Sequence, residues 1–297
     1  MDIYEKVTQT VVDLLEQGVK PWTQPWSGGA GAIRPLRHNH QGYRGINVLI
    51  LWATAQEAGY ASPYWMTYRQ ASELGGQVRK GEHSTQVVYY GSMVKEDQEA
   101  DKDERGHKLV RFLRTFNVFN ADQIDRLPQP YYAKAAQPQS VAERIPELDA
   151  FAQATRADIR EGGGRAFYRI DEDFIQMPDF RAFADAEVFY ATRAHELVHW
   201  TRHPSRLDRD MGRKRWGDEG YAAEELVAEL GAAFLGAELG LRPDHINDHA
   251  AYIGSWLKVL RDDRRFIFSA AAKAQEAADY LMACQEGAKA KVAGRSQ

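Results

Sequence analysis

The chain has 297 residues, room for two domains of ordinary size. Hydrophobic residues at 44% and charged residues at 27% describe a globular protein and exclude disorder as the default state. A net charge of −4 excludes a uniformly basic polyanion binder, and the lone Cys284 excludes an intramolecular disulfide framework and fits a reducing compartment. The opening MDIYEKVTQT lacks a basic segment followed by an apolar one, so no signal peptide is expected. No apolar run approaches the roughly 20 residues that span a bilayer. A soluble, cytoplasmic protein without a membrane segment is expected.

Ile3, Val7, Val11, Leu14 and Leu15 recur at helical spacing and predict a helix over 3–15 that ends near Gly18. Pro21-Trp22 and Pro25-Trp26 forbid its continuation and add two indoles that core packing would account for. From Ile33 to Lys80 the balance is basic: Arg34, Arg37, Arg44, Arg69, Arg79 and Lys80 face only Glu57 and Glu73. Tyr43, Trp52, Tyr60, Tyr64, Trp65 and Tyr68 are interleaved with them. Single-stranded nucleic acid needs both ingredients, cations along the phosphates and flat rings against unpaired bases. Composition alone is accounted for as well by a solvated basic face over an aromatic core. Residues 1–126 hold fifteen cations and fifteen acids, so the basic bias is regional.

Arg79-Lys80-Gly81-Glu82 reads as a turn into a strand at Val87-Val88-Tyr89-Tyr90. Residues 95–106 form a charge run expected as an exposed loop, and Leu109 to Phe119 returns as a strand carrying Arg111 and Arg114. Prolines 128, 130 and 138 mark a linker at 128–145. The expected division is a first domain at 1–127 and a second at 146–297. The second opens with a helix over 147–160, stopped by Gly162-Gly163-Gly164, then strands near 165–170 and 171–178. Residues 180–200 build a helix that must end near His203-Pro204. Further helices are expected over 221–240, 245–262 and 266–286.

The helix ending at Trp200 contains His195-Glu196-Leu197-Val198-His199. Residues four apart share a helical face, so His195 and His199 can chelate one ion, with Glu196 within reach of its water as general base. A catalytic zinc takes three protein ligands. The helix over 221–240 offers Glu225 as the third and Glu229, one turn on, as the residue orienting His195. Glu224 lies one residue off that face and is expected exposed. Imidazole with carboxylate accepts Zn²⁺ or another divalent ion such as Mn²⁺. His203, His245 and His249 are expected to be structural or exposed. Arg202, Arg206, Arg209, Arg213, Lys214 and Arg215 read as a solvated basic loop.

Several blocks in order resemble the N-terminal single-stranded-DNA-binding domain of ArdC-type antirestriction proteins: Pro21-Trp22 with Pro25-Trp26, Tyr43-Arg44-Gly45-Ile46-Asn47, Trp65-Met66-Thr67-Tyr68-Arg69-Gln70, Leu74 to Glu82, and Phe116-Asn117-Val118-Phe119-Asn120. That domain also occurs in some plasmid primases. The histidine motif with Tyr221 to Leu230 resembles the zincin-like metallopeptidase domain that follows it, and the Glu225–Glu229 pairing resembles gluzincin-type sites. The resemblance implies a two-domain α+β protein, an α+β DNA-binding domain before a mostly helical zincin-like one. It implies non-specific binding of single-stranded DNA and protection of DNA entering by conjugation from host restriction. On that reading Arg34, Arg37, Arg44, Arg69, Arg79 and Lys80 meet phosphates, and Tyr43, Trp52, Trp65 and Tyr68 are stacking candidates. Tyr221 is a candidate oxyanion donor. The rival readings are a peptidase acting on a host defence protein and a replication accessory protein.

Overall fold

The structure, a computed structural model, describes residues 2–17, 20–22, 34–96, 107–132, 143–183, 185–210, 219–241 and 250–293. Trp26, His245, His249, Arg213, Lys214 and Arg215 lie outside the described residues, as do 97–106 and most of the expected linker. The chain forms two compact units, and they are divided differently from the expected 1–127 and 146–297. One comprises Met1–Arg34, Arg44–Gly59 and Lys134–Gln297; the other comprises Pro35–Tyr43 and Tyr60–Ala133.

The smaller unit is built on β1 (Leu36–Arg37), β2 (Tyr64–Met66), β4 (Thr85–Glu96) and β5 (His107–Asn120), in the spatial order β1-β2-β5-β4. Strand β3 (Gln77–Val78) pairs antiparallel with β6 (Ile124–Asp125). Helix α3 (Tyr68–Glu73) starts at a capping box, in which the Thr67 hydroxyl and the Gln70 amide each satisfy the other's backbone. Met66, Ala71, Val78, Ala121, Ile124, Leu127 and Tyr131 form the core beneath it. The β4–β5 ladder runs from Thr85 opposite Val118 to Glu96 opposite His107. Among the described residues β2 pairs with β5 only at Phe119 and Asn120. The rest of the ladder is a two-stranded ribbon.

The larger unit holds α1 (Ile3–Glu16), α2 (Ile46–Ala58), α4 (Pro146–Thr155), α5 (Ala186–Trp200), α6 (Glu219–Leu239), α7 (Ala250–Asp262) and α8 (Phe266–Ala293). Helix α1 is capped by Asp2, whose side chain accepts from the Glu5 amide at 2.8 Å. Its apolar stripe of Val7, Val11, Val12 and Leu15 is buried, and Thr8 Oγ1 donates to the Arg264 carbonyl at 2.6 Å. Helix α2 (INVLILWATAQEA) is apolar on most sides and so needs neighbours on most sides. Trp52 meets Phe234 of α6 with ring centroids 6.3 Å apart.

A three-stranded sheet in the order β7 (Asp158–Glu161), β9 (Phe174–Met177), β8 (Phe167–Arg169) precedes α5. The helix expected over 147–160 therefore ends early. Arg156 turns left-handed at φ 61, and Thr155 accepts the Ala157 amide through its hydroxyl. That releases 158–161 to pair in parallel with β9.

Helices α5 and α6 pack at unusually short range. A Cβ placed on Gly231 would lie 2.8 Å from both methyls of Val198. Valine in a helix has essentially one rotamer, so the clash moves backbone rather than side chain. Gly231→Ala is expected to destabilise the protein by about 1–2 kcal/mol: overpacking costs about 1–3 kcal/mol, and better helix propensity returns up to about 1. Thermal unfolding checks this, and a stabilised variant would show that the contact yields freely.

Candidate metal centre

Helix α5 starts at Asp185, whose carboxylate accepts the Val188 amide at 2.9 Å. It is buried on nearly every side, including His195, Glu196 and His199. Charged groups in such a helix need partners. Arg193 donates to Asp149 at 2.8 Å and to the Leu148 carbonyl at 2.6 Å, which fastens α4 to α5.

His195 and His199 turn their Nε2 atoms toward each other, 3.1 Å apart. Glu225 of α6 closes the group, its carboxylate 3.5 Å from His195 Nε2 and 3.4 Å from His199 Nε2. These three side chains are buried and their ligand-type atoms all lie within 4.8 Å of one another. Burial alone would raise the Glu225 carboxyl; the two imidazoles outweigh it and hold it well below the usual carboxylate range. Burial alone would lower His199; Glu225 and Glu224 outweigh it and raise its pKa to about 10.

Glu224 is a correction to the sequence reading. It is 1% exposed rather than solvated, because residues 221–236 of α6 are buried on every face. Its Oε1 lies 3.2 Å from His199 Nδ1. Arg209 grips the same carboxylate with two hydrogen bonds of 2.7 and 2.9 Å, and also donates to Thr201 Oγ1 and the Val198 carbonyl. Glu224 is therefore placed to orient the His199 ring. Glu229, expected to orient His195, lies 3.9 Å from the Lys20 ammonium. Arg209 likewise is no part of a solvated loop. Nor is Arg206, which pairs with Asp173, donates to the Trp200 carbonyl at 2.7 Å and stacks over the Trp200 ring.

Glu196 is buried beside the two histidines and accepts a hydrogen bond from the Tyr168 backbone of β8. Burial raises its pKa. Tyr221 is buried one turn before Glu225. His203 is half-buried, its Nδ1 2.8 Å from Ser205 Oγ.

The ten residues expected to meet DNA are divided between the two units. Arg34, Arg44 and Trp52 belong to the larger unit and the other seven to the smaller. Arg34 is 8% exposed, bonded to Gln275 and paired with Glu238, and so is a buried anchor rather than a phosphate contact. Trp52, Trp65 and Tyr43 are core residues; the Tyr43 hydroxyl donates to the Trp65 carbonyl at 3.3 Å. A buried ring cannot stack on a base, so these three stacking expectations fail. Arg37, Arg44, Tyr68, Arg69, Arg79 and Lys80 are exposed. Arg44 pairs with Asp279, Arg69 with Glu73, and Arg79 with Glu82 and Asp125.

Residues 146–273 match the family described as zincin-like metallopeptidase, the class that fits a helix-borne histidine pair with a carboxylate from the next helix. Residues 1–119 match the N-terminal domain of the anti-restriction factor ArdC. The metal-free crystal structure of the antirestriction protein ArdC from plasmid R388 superposes with a TM-score of 0.82 at 47% identity, over 97% of this chain and 99% of that one. Its Mn(II)-bound structure gives 0.80 at 46% identity, over 96% and 98%. The protein y4eC of Sinorhizobium fredii is 41% identical over 292 residues, 97% of this chain and 94% of that protein. A DNA primase TraC of Escherichia coli is 41% identical over 299 residues, but the chain spans only 27% of the primase. The chain belongs to the ArdC family of antirestriction proteins, with a zincin-like domain in its second half. No helix among the described residues is long and apolar enough to cross a membrane.

Proposed function

We propose that the protein binds single-stranded DNA non-specifically, shields DNA arriving by conjugation from host restriction, and holds a divalent cation on His195, His199 and Glu225. The convergence of those three buried side chains carries the metal reading. Tetrahedral ligands about 2.0–2.1 Å from zinc stand roughly 3.3–3.4 Å apart. The facing atoms here are separated by 3.1, 3.4 and 3.5 Å, so the donor set fits. The Mn(II)-bound relative supports a divalent ion, and an imidazole–carboxylate set accepts zinc and manganese alike. A cation bound there supplies Lewis acidity.

The chain's own residues do the rest. Glu224, held by Arg209, fixes the His199 ring through Nδ1. The Tyr168 amide holds the Glu196 carboxylate beside the donors, where it can take up and return a proton. Tyr221 is the proposed oxyanion donor. This arrangement favours one second reading, a peptidase acting on a host protein, in which Glu196 is the base. Restriction protection by Glu196→Gln, with metal content and DNA binding measured in parallel, separates the two. Shielding predicts that all three persist. Loss of protection with DNA affinity intact would transfer the function to the peptidase. Affinity for single strands should fall steeply with salt; affinity no better than for duplex would sink the DNA reading.

A further inference from the structure

Of the four rings offered for base stacking, Tyr43, Trp52 and Trp65 are buried and Tyr68 is exposed. Further exposed rings lie on the β4–β5 ribbon. Tyr89 is 53% and Phe116 47% exposed. Register places Gly91, Tyr89 and Val87 opposite Phe112, Arg114 and Phe116, so all six share one face. Tyr89 lies 6.2 Å from Phe112 and 6.4 Å from Phe116 between ring centroids. The exposed Arg114 guanidinium sits over the Phe112 ring at 4.8 Å. Gly91 makes room for that ring: a Cβ there would lie 2.3 Å from it.

We propose that this face of the ribbon, with Tyr89, Phe112, Arg114 and Phe116, is a stacking platform for the unpaired bases of a single-stranded nucleic acid. The proposal rests on the single-strand reading above and names its site. Two observations choose the occupant. The first is spacing. Alternate residues on a strand are about 6.6–6.8 Å apart. Stacked bases are 3.4 Å apart along a strand, so a flat group interleaved between successive bases spaces them at about 6.8 Å. The backbone positions of Phe112, Arg114 and Phe116 repeat at that period; the Arg114 guanidinium leans over Phe112, and the exposed rings are those of Tyr89 and Phe116. The second is charge. The six residues of this face include the exposed Arg114 and no acid, which suits a backbone bearing one phosphate per base.

The test uses the full chain, fluorescently labelled oligo(dT) and oligo(U), a duplex, and an abasic oligonucleotide of equal length. Tyr89→Ala and Phe116→Ala are each expected to weaken single-strand binding about tenfold or more, as loss of one stacked base would. Phe116→Tyr is expected to restore affinity. Arg114→Ala is expected to lower affinity and reduce the salt slope by about one. The abasic strand should bind the unaltered protein as weakly as oligo(dT) binds the alanine variants. Both rings are exposed, so unchanged thermal unfolding will show that the variants keep their fold. If the unaltered protein binds single strands and the alanine variants bind them equally well, the platform is wrong and the single-strand reading stands. If the unaltered protein binds no single strand, both fall. Variants that lose only self-association, seen by sedimentation, would assign the face to a second copy of the chain and overturn the proposal.

Discussion

His195→Ala is expected to strip the purified protein of its divalent cation. One of three converging donors is lost, and the remaining His199 and Glu225 cannot enclose an ion. Changing an outer-shell group typically costs about 10–100-fold in metal affinity, so removing a ligand should exceed that range. Elemental analysis after dialysis reads it directly, and stoichiometric metal retained by the variant would refute the ligand assignment. The sign of the pH dependence follows from the metal-free charges. With its pKa raised to about 10, His199 carries a proton that an incoming cation must displace. Apparent affinity should therefore fall as pH is lowered from there. Glu224→Gln, which keeps shape and removes charge, should show a smaller loss.

Arg209→Met should be among the most destabilising single changes in the larger unit. Arg209 supplies both hydrogen bonds of a bidentate pair to Glu224, and both residues are buried. Removing one partner of such a pair costs about 3–5 kcal/mol, because a buried charge is left uncompensated. His199 also faces Glu224 and can take part of that charge, which places the expectation at the lower end of the range. Urea unfolding of metal-free protein measures it. The double variant Arg209→Met with Glu224→Gln should recover part of the loss. A single-variant cost under about 1 kcal/mol would mean that the pair is not what stabilises this region.

Helix α5 and its histidine pair were legible because spacing and chemistry are both local. Glu225 followed because a third donor had to come from another helix, and α6 offered one. Glu224 was misread because a face was assumed for α6. Apart from Glu224, Glu225 and Glu229, the sequence from Tyr221 to Gly236 is small or apolar, the mark of a helix with no solvent side. Glu229 shares a face with Glu225 one turn on, and Lys20 is one of its neighbours. Arg209 could not have been found, since nothing local distinguishes it from Arg202 or Arg213. The basic and aromatic count over 33–80 was correct as a count. It could not show that Arg34 is buried, that Arg44, Arg69 and Arg79 are already paired, or that Trp52 and Trp65 fill cores. The strands of the ribbon were expected at 87–90 and 109–119; which of their rings stay in water depended on β2 pairing with β5 only at Phe119 and Asn120 among the described residues.

Helices α1 and α2 come from the N-terminal segment yet belong to the unit that carries the histidines. Severing the chain between residues 127 and 146 would strip both from α6, α7 and α8 and expose apolar surface on each fragment. A cut there would divide one packed unit rather than separate two. The chain's similarity to the TraC primase runs across that point: 95% of this chain is matched inside a protein of which it spans 27%. Both halves of the chain are matched together there.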